Sequence, residues 1–125
     1  MIFKNMTILL SVLIFSTTVI ASNEMEITVK LTVPDTAWII SIDDVRKVNN
    51  EIWVISKVSK NPDVMGAQVI STIEASAVID PVDLPVRHFI IGKTWDWENE
   101  EPYTFIKSIE KLESNLKDSE LLYKK

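Results

Sequence analysis

The sequence contains no cysteine, a single histidine and only two glycines among its 125 residues. The lack of cysteine excludes disulfides, thiolate chemistry and cysteine-based zinc sites. Two glycines, Gly66 and Gly92, are too few for a phosphate-cradling loop, a dinucleotide fingerprint or a Gly-x-Ser-x-Gly nucleophile elbow. Any Ser–His–Asp triad would have to use His88, the one histidine. These absences leave little material for nucleophilic or nucleotide-dependent catalysis, and no cofactor is predicted.

Positive charge is also scarce. The chain has 13 lysines and arginines against 18 aspartates and glutamates, for a net charge of −5, and no basic cluster. A protein that binds nucleic acid or an anionic membrane surface needs a concentration of basic side chains. The composition therefore argues against nucleic acid as a partner.

The first 21 residues are typical of a secretory signal peptide. Lys4 and the free amine give a weakly positive start, and the 14 residues from 7 to 20 are apolar apart from hydroxyl side chains. The alternative is a retained membrane anchor, but this run is shorter than the roughly 20 residues that span a bilayer. We predict cleavage after Ala21, which removes one lysine and no acid and leaves a net charge of −6. The product would be one domain over residues 22–125, periplasmic or secreted, with no stable membrane insertion.

The stretch from Glu51 to Ser59 predicts the central strand of the domain. Ile52, Val54 and Val58 fall on one side of an extended chain, and Trp53 falls on the other. Apolar residues on both sides are typical of a strand that is covered on both faces. Asn49-Asn50, just before it, is a favourable turn pair, because asparagine tolerates positive φ.

Short extended segments separated by turn residues make up most of the remaining chain. Ser108 resembles a helix N-cap, and Ile109, Leu112 and Leu116 then form an apolar stripe at helical spacing. The pattern predicts a mainly β fold, a small antiparallel β-sandwich or open barrel of about six to seven strands with one C-terminal α-helix. The predicted strands cover residues 26–33, 38–45, 51–59, 67–73, 76–79 after a kink, 86–91 and 104–107.

An aromatic and acidic stretch over residues 93–101 differs from everything around it. In an extended segment Trp95 and Trp97 point the same way, with Asp96 opposite. Exposed indoles surrounded by carboxylates are a usual composition for a binding hot spot. The competing interpretation is that both indoles plug one end of the sandwich, since burial of an aromatic side chain is worth several kcal/mol. The predicted partner-binding residues are Trp95, Asp96, Trp97, Glu98, Glu100 and Glu101.

The leading functional hypothesis is an exported, non-catalytic binding domain that recognises a protein partner through this stretch. A peptidase is one candidate partner. Small exported inhibitors of cysteine peptidases insert an Asn-Pro-Thr-Thr-Gly loop, a glycine pair and Arg-Pro-Trp, but only Asn61-Pro62 is shared here, so membership of that group is not claimed.

Two further hypotheses come from other classes. One is a small cell-envelope hydrolase that uses the loop carboxylates and His88. The other is a calcium-stabilised structural module, because Asp96, Glu98 and Glu100 alternate like the oxygen ligands of a calcium loop. The spacing lacks the glycine and the final glutamate of such a loop.

Expression of the full chain in a Gram-negative host should yield a product that begins at Ser22, because the apolar run is too short to remain as an anchor. Intact-mass measurement and N-terminal sequencing of the periplasmic fraction check this. A product that keeps residues 1–21 and sediments with the membrane would instead support the anchor.

Overall fold

The computed structural model describes residues 23–125, so the predicted signal peptide lies outside the described residues. The described part is mainly β, with seven strands in two sheets and one short C-terminal helix, as the sequence predicted. The elements are β1 (Met25–Val33), β2 (Trp38–Val48), β3 (Glu51–Lys60), β4 (Ser71–Ile79), β5 (Val86–Ile91), β6 (Thr104–Ile106), a 3₁₀ turn (Ile109–Leu112), α1 (Glu113–Leu116) and β7 (Glu120–Lys124). One sheet pairs β1 with β4, and the other has the order β6-β5-β3-β2-β7.

Strand β3 lies in the middle of the five-stranded sheet and is buried on both faces, as predicted. Ile52 and Val54 belong to the large apolar cluster that lies between the two sheets. Trp53 and Ile55 belong to a smaller cluster on the other face, which the 3₁₀ turn covers with Leu112. The hairpin that leads into β3 places Asn49 at a φ of 54°, the left-handed region that asparagine tolerates.

The predicted strand over 67–73 and the kink after it are both corrected by the structure. Strand β4 begins at Ser71 and runs without interruption to Ile79, antiparallel to β1. The last pair of that ladder joins Ser71 to Val33, and Pro34 follows. Proline ends the ladder, so residues 67–70 have no strand to pair with and remain in a loop.

The five-stranded sheet is mixed, whereas the sequence predicted antiparallel pairing. Strand β5 runs parallel to β3, and β6 runs parallel to β5. Parallel neighbours need a long connection that carries the chain back along the sheet. Residues 92–103, hereafter the crossover loop, are the connection between β5 and β6. The aromatic and acidic stretch lies within this loop.

The C-terminal region differs most from the prediction. The helix is a 3₁₀ turn followed by the single helical turn α1, and Ser108 makes no side-chain capping hydrogen bond. The last residues form β7, which pairs with β2, and Lys124 Nζ lies 3.0 Å from Asp44 Oδ1. Within residues 23–125, neither helical segment has the length or apolar character that crossing a bilayer requires.

Replacement of Gly92 by alanine should lower the free energy of unfolding by at least about 2 kcal/mol. Gly92 has a φ of +105°, and a Cβ built there would lie 2.1 Å from the carbonyl oxygen of Val58. Neither the backbone conformation nor the space tolerates a side chain. Urea denaturation measures the loss.

The matched control is Thr94→Ala, two residues further on at an exposed position. It should change the free energy of unfolding by no more than about 0.5 kcal/mol. Equal stability of the two variants would contradict the close packing of the crossover loop against β3.

Candidate functional site

The predicted site residues lie in the crossover loop, whose backbone bends at residues 96–97 and again at 100–102. From Trp95 to Glu101 the odd-numbered side chains are partly buried and the even-numbered ones are exposed. Trp95 and Trp97 therefore point the same way, with ring centres 5.6 Å apart. Asp96 lies on the opposite, exposed side.

Trp95 serves the core. Its ring meets the edge of Trp38 at 5.0 Å and 79°, and it packs against the large apolar cluster. Its indole N–H donates a 2.8 Å hydrogen bond to Asn99 Oδ1. The plug interpretation therefore describes Trp95, whose removal would disturb the fold as well as any binding surface.

Three side chains of the crossover loop bond to the outer edge of β1, where none of the strands within residues 23–125 pairs with it. Glu101 Oε2 accepts the Thr32 N–H at 2.7 Å, and Asn99 Nδ2 donates to the Thr32 carbonyl at 2.8 Å. The Tyr103 hydroxyl accepts the Lys30 N–H at 3.2 Å. Asn99, Glu101 and Tyr103, together termed the clasp, thus act as a partner strand for β1.

The clasp depends on an ionised Glu101. Partial desolvation raises the pKa of this carboxyl, but hydrogen bonding to its own backbone N–H, to Asn99 and to Thr32 outweighs that effect. Its pKa is therefore lowered from the ordinary value. Of the predicted binding residues, Glu101 is the one whose carboxylate is already engaged within the protein by these bonds.

Trp97 is not part of the clasp, and it lines an open groove. The groove has a volume of about 290 Å³ and is lined by Thr32, Ile70, Trp97, Glu98 and Glu100. The Trp97 carbonyl accepts a 2.7 Å hydrogen bond from Lys93 Nζ, which holds the loop backbone at this point. The groove thus combines one indole and one aliphatic side chain with two exposed carboxylates.

The loop of residues 61–70 supplies the aliphatic side of the groove and carries an unusual amount of exposed apolar surface. Met65 is 99% exposed, Ile70 69% and Val69 59%. Thr36 fixes the loop, since its Oγ1 accepts the Ala67 N–H at 2.8 Å and its own N–H donates to the Ala67 carbonyl at 3.1 Å. Exposed apolar clusters of this kind mark interaction sites on many soluble domains.

His88 lies apart from the groove. It is partly buried on the same face of β5 as Ile90, and its ring lies 4.7 Å from that of Tyr103. Desolvation lowers its pKa, so the imidazole stays neutral at pH 7. A second concavity, of about 500 Å³, has Lys93 and Phe105 among its lining residues. His88 lines neither this concavity nor the groove.

No group of three or more His, Asp or Glu side chains within residues 23–125 is arranged to hold a metal ion. Asp96, Glu98 and Glu100 are all exposed to solvent, and they do not form such a group. The geometry thus gives the calcium hypothesis no support.

Comparison of this chain with protein-family models, with curated proteins and with solved structures finds no match.

Sequence reasoning did not identify Thr32, Ile70, Asn99 and Tyr103 as parts of the site. Ile70 was assigned to a strand, yet Val64, Met65, Val69 and Ile70 form a dense apolar group close to Pro62 and Gly66. Apolar residues next to such turn signals were the available hint of an exposed surface. No local sequence pattern predicts the hydrogen bonds of Asn99 and Tyr103 to β1.

Glu101→Gln should reduce the free energy of unfolding at pH 7 by about 1 kcal/mol, because the amide group turns a second donor toward Asn99 or Thr32. Glu100→Gln, which removes the same charge from an exposed neighbour, should leave it within about 0.5 kcal/mol. The pKa of Glu101 is lowered in the folded protein, so its stabilising contribution is present above the ordinary pKa of 4.5 and is lost as the pH falls.

Urea titrations at several pH values from 7 down to 3 measure both effects. The difference between the protein and Glu101→Gln should shrink on acidification. A constant difference across this range would contradict the role of the charge.

Proposed function

We propose that the protein is an exported, non-catalytic binding domain that recognises a protein partner through the groove and the adjoining 61–70 loop. The observation that carries the proposal is the open apolar groove between Trp97 and Ile70, rimmed by Glu98 and Glu100. Export is part of the proposal and rests on residues 1–21 of the sequence.

The composition of the surface supports a protein partner. Tryptophan and methionine are enriched at interface cores; Trp97 lines the groove, and Met65 is almost fully exposed on the loop that supplies Ile70. The apolar groove is continuous with the 61–70 loop through Ile70. A surface of this type loses unfavourable contact with water when a partner covers it.

Variants that test the groove should leave Trp95 in place. Trp95 packs on the core, so a variant that removes both indoles would confuse unfolding with lost binding. Trp97→Ala alone and Ile70→Ser alone remove the two apolar walls of the groove. The first also removes the ring contact with Trp95, but Trp95 keeps its contact with Trp38 and its hydrogen bond to Asn99. Each should leave the circular dichroism spectrum unchanged.

Affinity capture should be run from an extract of the native host with the wild-type protein and both variants as bait. A partner retained by the wild-type protein should be lost with Trp97→Ala and with Ile70→Ser. With that partner purified, each variant should weaken the dissociation constant by at least about tenfold, the loss usual for a hot-spot side chain.

Ile39→Ser is the matched control, because Ile39 is 54% exposed and follows the buried Trp38 on β2, so that its side chain points away from the core between the sheets. It should retain the partner. Full capture by folded Trp97→Ala and Ile70→Ser would overturn the proposal.

A further inference from the structure

We propose that the groove takes the arginine side chain of an extended polypeptide segment of the partner. This inference rests on the proposed function and deepens it, since it names what enters the groove.

The lining residues of the groove carry two acidic side chains and no basic one. Lys93 lines the second concavity together with Glu98, and its ammonium group donates to the Trp97 carbonyl. Glu98 and Glu100 are both exposed at the rim. In the part of the chain that the structure describes, neither carboxylate forms an ion pair with a lysine or arginine. Two free carboxylates beside an indole form a site that a cationic group complements in both charge and shape.

An indole, a carboxylate and a guanidinium already pack together elsewhere in this protein, around Arg87. The Arg87 guanidinium lies 5.6 Å from the ring centre of Trp53 and 5.1 Å from that of Phe89. Glu51 Oε1 lies 3.8 Å from Arg87 Nη1 on the same side. An indole, a glutamate and a guanidinium thus already stack together on the opposite face of the five-stranded sheet, and the groove offers the first two of these groups.

Size and chemistry favour arginine over other occupants. A groove of about 290 Å³ is at the small end for a ligand pocket. It suits one long side chain rather than a helix or a loop. The methylene stem of arginine would cover Trp97 and Ile70, and its planar guanidinium pairs with carboxylates through a fork of N–H groups. Lysine offers only a point charge.

The test uses the purified protein and three capped pentapeptides, Ser-Leu-Xaa-Leu-Ser, in which Xaa is arginine, lysine or citrulline. Citrulline has the shape of arginine without its charge. Binding is followed through the indole N–H resonances by NMR, with the Trp97 signal assigned from Trp97→Phe. The arginine peptide should bind at least about tenfold more tightly than the citrulline peptide and more tightly than the lysine peptide.

Glu98→Gln and Glu100→Gln should each weaken the arginine peptide about fivefold, as expected for one exposed charge pair. Asp96→Asn removes the same charge from the same loop but not from the groove, and it should change binding less than about twofold. Higher salt should weaken the arginine peptide and leave the citrulline peptide unchanged.

Equal binding of the arginine and citrulline peptides would overturn the inference. The inference would also be overturned if the arginine peptide failed to shift the Trp97 signal while capture of the native partner still depended on Trp97. In that case the proposed function stands. Concentration-dependent dimers in sedimentation, abolished by Trp97→Ala, would assign the groove to a second copy and also overturn it. If Trp97→Ala still binds both the native partner and the arginine peptide as the wild-type protein does, both proposals are wrong.

Discussion

The geometry of the candidate site depends on two backbone groups of one residue, the N–H and the carbonyl of Thr32. They lie on the edge of β1 that none of the seven described strands covers, and Glu101 and Asn99 bond to them at 2.7 and 2.8 Å. A buried backbone group without a partner costs about 1–3 kcal/mol, so this edge has to be satisfied. Side chains of the crossover loop satisfy it, and by doing so they fix the position of Trp97 and of the groove.

The same bonds also close the fold. An uncovered edge strand is a template for pairing with another chain, and natural proteins cover or interrupt such edges. Here the clasp covers β1 from one side, and on the other side of the two-stranded sheet β4 packs close to β2 and β7. The two sheets of the sandwich are therefore in contact at both margins, through side-chain bonds at one and through packing at the other. The crossover loop owes its length to the parallel pairing of β5 and β6, so the topology itself supplies the loop that carries the groove.

The two indoles of the loop, Trp95 and Trp97, have different roles. Both are partly buried, yet Trp95 meets Trp38 and the core whereas Trp97 lines the groove. Residues held on rigid scaffolds by satisfied bonds are suited to recognition, because little entropy is lost when they bind. The acids divide in the same way, since Glu101 belongs to the clasp while Glu98 and Glu100 face solvent.

The sequence by itself determined the mainly β class, the position of most strands, the central place of β3, the Asn49 turn and the shared direction of Trp95 and Trp97. Those features follow from local alternation and turn chemistry, which act over a few residues. Only the tertiary structure decided the parallel pairing, the late start of β4, the C-terminal strand β7, and the presence of Ile70 beside Trp97. These depend on contacts between residues distant in the chain, such as Thr32 with Asn99 and Glu101, and no local pattern encodes which distant group satisfies a free edge.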